Sequence, residues 1–305
     1  MDTIHIRHRT VYRYTVPVVF GEHRLMVRPR DSHDLRNVST RLIITPSANI
    51  RWLHDVFGNS IAIVTFETPA AELTFESDIV VEHYGLDDIA FPIEENARTL
   101  PFSYAAEELP DLGRTIERHY PDPGHKLDTW VRQFLAQNGP SWTQSVLNAI
   151  THAIHNDFRY IERSEEGTQP PVVTLERGAG TCRDFALLMM EGLRVLGIAA
   201  RFVTGYLYDP SSEQSGIPFH GAGSTHAWVQ AYLPGAGWVE FDPTNGLVSG
   251  KNLIRVGVAR DPSQAIPIQG SFTGPPGAFT DMTIEVSVLS NVPQGAFGID
   301  VGTAL

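Results

Sequence analysis

The sequence predicts an α+β fold in which an N-terminal antiparallel β-sandwich precedes helices that pack on an antiparallel sheet. Apolar and polar residues alternate in short runs over residues 2–84, and no helical spacing separates these runs. From residue 126 to residue 197 the apolar spacing becomes helical, and strand-like runs then return up to residue 290. We therefore predict two domains, at residues 1–100 and 101–305, with the C-terminal strands in the second.

Composition and charge exclude several classes of protein. The 305 residues carry a formal net charge of -12, which repels nucleic acids and anionic membrane surfaces, so we expect neither as a partner. No apolar run reaches the roughly 18 residues that span a bilayer, and the first residues lack a signal-peptide pattern. The single cysteine, Cys182, has no internal disulfide partner, as is usual in reducing compartments. We expect a cytoplasmic protein.

The N-terminal half of the chain is rich in strand signals. Typical strand runs are TIHIRHRTVYRYTV, SIAIVTFET and LTFESDIVVEHY, which are rich in Val, Ile, Thr, Phe and Tyr. Gly58 and Asn59, within DVFGNS, separate two such runs and predict a hairpin turn. Residues 85–125 lose the alternation and gain prolines and acids, which indicates a linker with one short helix.

Three helices are predicted after this linker. The first has one apolar face within LDTWVRQFLAQNG and stops at Gly139. Ser141 is a candidate N-cap of the second, whose apolar stripe falls within SVLNAITHAI. The third begins at Cys182, is apolar over most of its surface and ends before Gly197, so we expect it to be deeply buried.

Cys182 is the first candidate for a catalytic residue. At the start of a helix its sulfur lies beside unpaired backbone N–H groups and the positive end of the helix dipole, and both favour the thiolate. Gly178 and Gly180 permit a sharp turn into the helix. A free cysteine is otherwise most often a small buried hydrophobe, so the position of Cys182 alone does not establish a role.

A histidine and an aspartate are predicted to lie together on two neighbouring strands. His226 opens HAWVQAYL, Asp242 closes GWVEFDP, and PGAG between them predicts an antiparallel hairpin. Pairing positions that sum to 468–470 places both side chains on one face, opposite or diagonally adjacent, within reach of a hydrogen bond. A thiolate nucleophile needs such a base and a group that orients it.

These segments resemble the transglutaminase-like core, a papain-like fold shared by transglutaminases, peptide N-glycanases and bacterial thiol proteases or amidases. The resemblance is carried by GAGTCRDFALLMM, by STHAWVQAYLPGAGWVEFDPTNG and by the order Cys, His, Asp. The N-terminal strands and the DVFGN turn are similar to the β-domain that precedes this core in bacterial members. The resemblance implies that Cys182 is the nucleophile, His226 the general base and acid, and Asp242 the residue that orients it.

The implied reaction is acyl transfer through a thioester on a peptide or carboxamide bond, with a peptide or protein as substrate. Water or a primary amine then accepts the acyl group, and the sequence does not decide between them. The Cys182 backbone N–H is expected to stabilise the oxyanion, with Tyr160 or Trp142 as the candidate second donor. Asp184, a capping residue whose charge Arg183 would offset, and Trp228 are further substrate-binding candidates.

No cofactor or metal is expected. The chain has no EF-hand pattern, so we predict no calcium requirement, and a zinc site built on paired histidines lacks the helical motif. The histidine pairs in question are His152 with His155 and His220 with His226. The other alternative is a fold that has lost its chemistry and serves as a protein- or peptide-binding module.

Overall fold

The computed structural model describes residues 2–84, 91–163, 165, 167–209, 220, 223–250 and 252–290. The strands within these residues are β1 (Asp2–Phe20), β2 (His23–Leu25), β3 (Leu35–Thr45), β4 (Ala48–His54), β5 (Ser60–Phe66), β6 (Ala70–His83), β7 (Thr99–Leu100), β8 (Ser141–Trp142), β9 (Arg159–Tyr160), β10 (Ala179–Gly180), β11 (Ala200–Leu207), β12 (His226–Leu233), β13 (Gly237–Asp242), β14 (Leu247–Val248), β15 (Leu253–Ala259), β16 (Ile268–Gln269), β17 (Phe272–Thr273) and β18 (Phe279–Ser290). The helices are α1 (Leu109–Leu112), α2 (Lys126–Arg132), α3 (Thr143–Asp157), α4 (Pro171–Arg177) and α5 (Cys182–Val195). No helix in the described ranges is long and apolar enough to cross a membrane.

The N-terminal strands form two antiparallel sheets, as the alternating pattern predicts. One sheet has the order β17-β1-β6-β3, with β18 also paired to β1, and the other has the order β16-β2-β5-β4. Alternate side chains of both sheets meet in an apolar core, which removes their inward faces from water. This core contains Val18, Phe20, Leu25, Val27, Ala62, Val64, Leu73 and Phe75.

Three strands near the C-terminal end of the described residues, β16, β17 and β18, return to the N-terminal sheets. β18 pairs with β1 from Ile4 opposite Ser290 to Tyr14 opposite Phe279, and β16 pairs with β2. The local pattern places these strands in the second predicted domain, at residues 101–305. It carries no sign of their partners, because pairing between segments more than 240 residues apart leaves no trace in a local hydrophobic pattern. The boundary near residue 100 stays a prediction.

The second half of the chain supplies a further antiparallel sheet and helices that pack against it. This core sheet has the order β14-β13-β12-β11-β15. α5 is buried along most of its length, and its side chains pack with those of α2, α3, β11, β12 and β13. The predicted combination of N-terminal antiparallel sheets with later helices and strands is therefore present in the structure. Gly197 follows α5 at φ 78°, the left-handed conformation expected of a residue that ends a helix.

One predicted helix start is wrong. Trp142, not Ser141, is the N-cap residue of α3, because Ser141 is held in β8 by pairing with Leu100. The Ser141 hydroxyl accepts a hydrogen bond from the Ala136 amide at 2.9 Å, so it stabilises the turn that precedes β8. A serine two residues before a helix is a weak signal when a tertiary strand pair competes for it.

The sandwich and the core sheet share a buried interface. Ile4, Ile6 and other sandwich residues pack with Tyr206 and Ile254 of the core sheet. The predicted turn at Gly58 and Asn59 joins β4 to β5 and contributes directly to this interface. The Asn59 side chain donates to the Val258 carbonyl at 2.7 Å and accepts from the Val258 amide at 2.9 Å, as a paired strand residue would.

Candidate active site

Cys182 is the first residue of α5 and lies buried at its N-terminus. Thr181 is the N-cap residue, and its hydroxyl accepts from the Asp184 amide while the Asp184 carboxylate accepts from the Thr181 amide. This capping box satisfies backbone donors that the helix leaves unpaired. Gly180 precedes it, and a Cβ there would lie 2.8 Å from Cβ of Asp184, so only glycine fits. The local sequence therefore fixes the position of the sulfur at the positive end of the helix dipole.

Asp184, expected as a capping residue and as a substrate-binding candidate, completes the capping box and is fully buried. Its carboxylate accepts from the guanidinium of Arg163 at 2.9 Å and from the amide of Gln169 at 2.7 Å. With the bonds from Thr181, these contacts occupy its oxygens, and the side chain is fully buried. Arg163 therefore balances its charge, where the sequence analysis named Arg183.

Arg183 instead joins α5 to the segment after β15. Its guanidinium donates to the carbonyls of Pro262 at 2.8 Å and Ala265 at 3.2 Å and lies over the ring of Phe202. Burial lowers the pKa of Arg183, against the effect of nearby negative groups such as Cys182. Arg183 thus brings a partly buried positive charge close to the sulfur.

His226 and Asp242 lie on adjacent strands with the register that the hairpin predicts. β12 pairs with β13 at positions that sum to 470, for example Gln230 opposite Glu240, so Asp242 lies diagonally across from His226. Nε2 of His226 donates to Oδ2 of Asp242 at 2.9 Å, and both side chains are buried. The predicted proximity of this pair is therefore present in the structure.

Asn245 is a residue that the sequence analysis missed. Its side-chain amide donates to Oδ2 of Asp242 at 2.9 Å, and the Thr244 amide donates to Oδ1 at 2.9 Å. The Asn245 side chain also accepts from the amide of His220 at 2.9 Å. The run DPTNG carries the signal, since an aspartate that ends a strand commonly accepts bonds from the turn that follows.

The charges of the pair stabilise each other. Burial disfavours the imidazolium, but the charge and hydrogen bond of Asp242, with a smaller effect of Cys182, raise the pKa of His226 above its ordinary 6.5 to about 10. Burial also disfavours the Asp242 carboxylate, yet His226 and the donors of Asn245 and Thr244 hold the pKa of Asp242 below its ordinary value. The pair therefore favours a charged imidazole next to a carboxylate.

Cys182 and His226 line one pocket of about 210 Å³. Because Nε2 of His226 is bonded to Asp242, Nδ1 is the nitrogen available to Cys182, whose hydrogen bond and charge contribute to the raised pKa of the ring. The remaining walls of the pocket are Arg163, Glu165, Gly167, Thr181, Arg183 and Thr225. The arrangement can transfer a proton from a thiol to an imidazole, beside a space open to another molecule.

Tyr160 and Trp142, the two candidates for the second oxyanion donor, lie in different environments. Tyr160 packs edge-on to Phe185 and stacks on His220, with ring centroids 4.8 Å apart. It also interacts electrostatically with Cys182. Burial, with a contribution from Cys182, raises the pKa of Tyr160, so its hydroxyl keeps its proton. Trp142 is 55% exposed at the start of α3 and does not line the pocket of Cys182 and His226.

Trp228, expected as a substrate-binding candidate, is fully buried and does not line the pocket of Cys182 and His226. Its ring lies nearly parallel to that of His226, at 26°, with centroids 6.0 Å apart. Two residues along a strand share a face, which explains why the two rings meet. The histidines weighed as metal ligands, His152 and His155, lie against Gly246 instead, and the described residues hold no group of three or more metal-binding side chains.

Comparison with known proteins agrees with this architecture. Residues 4–82 match the bacterial transglutaminase-like N-terminal region, and residues 129–243 match the transglutaminase-like superfamily. The chain belongs to this transglutaminase-like family. It is 31% identical to the uncharacterized protein Rv2569c of Mycobacterium tuberculosis, over 92% of this chain and 91% of that protein.

Similarity over nearly the full length extends to proteins of lower sequence identity. The chain is 24% identical to the uncharacterized protein ML0607 of Mycobacterium leprae, over 95% of this chain and 100% of that protein. A crystal structure from Cytophaga hutchinsonii, named as a proposed cysteine protease, superposes with a TM-score of 0.70 at 22% identity, over 94% of this chain and 91% of that one. At this identity the likeness shows the fold alone, and the fold is transglutaminase-like.

Proposed function

We propose that the protein is a cysteine-dependent acyltransferase or hydrolase that acts on peptide or carboxamide bonds through a Cys182–His226–Asp242 triad. The observation that carries this proposal is that Cys182 and His226 line one pocket while Asp242 holds the far side of the imidazole. Membership of the transglutaminase-like superfamily supports the same class of chemistry. We also infer that the helices on the core sheet form a papain-like arrangement around this site.

The proposed reaction has two stages. Because the site favours the imidazolium, the Cys182 thiol gives its proton to Nδ1 of His226 before substrate binds, and the resulting thiolate attacks the carbonyl carbon to form a tetrahedral intermediate. The C–N bond then breaks as the imidazolium gives its proton to the leaving amine, which leaves a thioester on Cys182. Water or a second amine attacks the thioester, and the same imidazole accepts and then returns the proton. Substrate peptide and, for transamidation, a primary amine are the partners.

The oxyanion of the tetrahedral intermediate needs donors near the sulfur. The backbone N–H of Cys182 at the start of α5 is the first proposed donor, because the helix leaves it without an intrahelical partner. The Tyr160 hydroxyl is the second, since the ring is beside Cys182 and its raised pKa keeps the phenol protonated. Trp142 is less suited, because its side chain is 55% exposed at the start of α3.

The decisive experiment compares the wild-type protein with Cys182→Ala on a library of glutamine-containing peptides supplied with a primary amine. Mass spectrometry separates hydrolysis from transamidation by the product mass. We expect turnover only in the wild-type protein, with an acyl-enzyme on Cys182 that hydroxylamine releases. Undiminished turnover by Cys182→Ala, at an unchanged melting temperature, would refute the proposed function.

A further inference from the structure

The imidazole of His226 is backed by a side chain that does not reach the pocket. Trp228 lies nearly parallel to His226 and is fully buried. Gly205 of β11 makes room for this ring, because a Cβ there would lie 2.6 Å from Cη2 of Trp228. The indole is therefore confined between the imidazole and the neighbouring strand. Any displacement of the indole removes the wall that limits rotation of His226.

The indole is held in turn by a buried carboxylate. Nε1 of Trp228 donates to Oε1 of Glu240 at 3.1 Å, and the side-chain amide of Gln230 donates to the same oxygen at 3.1 Å. Glu240 is 6% exposed. A buried carboxylate stays in place only if a cation compensates it, since an unpaired charge is costly inside a protein.

That cation is Arg255, and it is shared with the N-terminal sandwich. Nη1 of Arg255 lies 3.2 Å from Oε1 of Glu240, and Nη2 donates to Oδ1 of Asp34 at 2.6 Å and to the hydroxyl of Ser32 at 2.9 Å. Burial opposes the charge of Asp34, yet the bond and charge of Arg255 lower the pKa of Asp34 to about 2. Asp34 thus fixes the guanidinium from the side opposite Glu240.

We propose that Asp34 and Arg255 are positioning residues, through which the N-terminal sandwich holds the imidazole of His226 in line with Cys182 by way of Glu240 and Trp228. This inference rests on the proposed function, because it takes His226 as the base of the triad. It also gives the N-terminal sandwich a part in the active site, besides covering an apolar face of the core sheet.

The test uses Asp34→Asn, which keeps the shape of the side chain and removes its charge. Asp34→Glu restores the charge, and Asp281→Asn is the matched control, because Asp281 pairs with Arg13 at 3.2 Å on the exposed side of the same sandwich. Two measurements are made on the full chain: the pH profile of Cys182 alkylation by iodoacetamide, and the solvent-exchange rate of the His226 imidazole N–H by NMR.

We expect Asp34→Asn to move the rising limb of alkylation upward by about one pH unit, a tenfold loss of thiolate at a fixed acidic pH. We also expect its imidazole N–H to exchange about tenfold faster, the effect of about 1.4 kcal/mol less protection. Asp34→Glu should recover most of both losses, and Asp281→Asn should match the wild-type protein in both.

Exchange that is equally slow in wild type and Asp34→Asn would overturn the inference, whatever the alkylation shows. So would an equal effect of Asp281→Asn, which would indicate general loosening of the sandwich. If the wild-type thiol reacts only like a free cysteine while Asp34→Asn still speeds exchange, the proposed function fails and the positioning role stands. Failure of the positioning role and failure of the proposed function therefore give different experimental results.

Discussion

The arrangement of hydrogen bonds around His226 determines which ring nitrogen can exchange a proton with the thiol. Oδ2 of Asp242 accepts from Nε2 of His226 and also from Asn245, so the carboxylate is fixed from two sides. A carboxylate held in this way cannot turn to compete for Nδ1. The imidazole therefore has one oriented donor and one nitrogen left for proton transfer, which is the arrangement that base catalysis requires.

Asp242→Asn tests this electrostatic arrangement. Asp242 raises the pKa of His226, so the imidazolium persists to alkaline pH in the wild-type protein, and loss of the carboxylate charge should lower that pKa. We expect the NMR titration of the His226 ring to move to lower pH by about two units or more, with turnover reduced about 10³-fold or more. A titration that does not move would show that Asp242 does not set the charge of the ring.

Tyr160→Phe tests the second oxyanion donor. Phenylalanine keeps the ring packing against Phe185 and His220 and removes only the hydroxyl. We expect turnover to fall about 10²-fold, while the alkylation rate of Cys182 stays within about twofold, because alkylation forms no oxyanion. Trp142→Phe is the comparison, and we expect it to change turnover by less than about threefold. The reverse order of effects would assign the donor to Trp142.

At the scale of single elements, the site depends on how α5 begins. The left-handed Gly178 ends α4, Gly180 passes close to Asp184, and the capping box then starts the helix with Cys182 at its first position. Gly178, Gly180 and the capping box each constrain the backbone here, so the turn helps to position the sulfur. A substitution in the turn should therefore change reactivity without touching the triad.

The variant Gly180→Ala tests whether the turn before α5 positions the Cys182 sulfur. The new Cβ would lie 2.8 Å from Cβ of Asp184 and 3.2 Å from Nε2 of Gln169, both buried. We expect a loss of about 1–3 kcal/mol in the free energy of unfolding, from overpacking, with slower alkylation of Cys182 in the folded protein. Gly124→Ala is the control, since only the Lys126 side chain lies near its Cβ, at 3.7 Å. Equal stability of the two variants would contradict a tight start of α5.

The elements that could be predicted from sequence are those whose signals are local. The hairpin of β12 and β13 was predictable because a short turn fixes the register, and with it the meeting of His226 and Asp242. The compensation of Asp184 by Arg163 and of Glu240 by Arg255 was not, because ion pairs join separate segments. The same limit applies to β18, whose pairing with β1 has no local signal.

At the scale of the whole molecule, the sandwich and the core sheet pack against each other through a shared buried interface. Strands from both ends of the chain form the sandwich, and its inner residues share an apolar cluster with β11 and β15. Asn59 and Asp34 then add polar contacts from the sandwich to β15. An interface of this kind couples the folding of the two parts, so we expect one cooperative unfolding transition.

A buried histidine at this interface should make the stability of the whole molecule sensitive to acid. Hydrogen bonds of 3.0 Å join His8 Nδ1 to the hydroxyl of Tyr206 on β11, and His8 Nε2 to the hydroxyl of Thr10. Burial lowers the pKa of His8 from 6.5 to about 4. The folded state thus favours the neutral ring, so His8 contributes stability that is fully present above pH 6.5 and is lost as the pH falls towards 4.

The measurement compares the free energy of unfolding of wild type, His8→Gln and the control His125→Gln, whose ring is exposed, in denaturant titrations from pH 7 to pH 4. Glutamine cannot become protonated, so the wild-type protein should lose about 3 kcal/mol more than His8→Gln over this range, at about 1.4 kcal/mol for each unit of pKa shift. Burial lowers the pKa values of His23 and His83 as well, but these residues are common to all three proteins, so the difference isolates His8. Parallel curves for wild type and His8→Gln would mean that the ring is not forced to stay neutral, and that the interface around it is open to water.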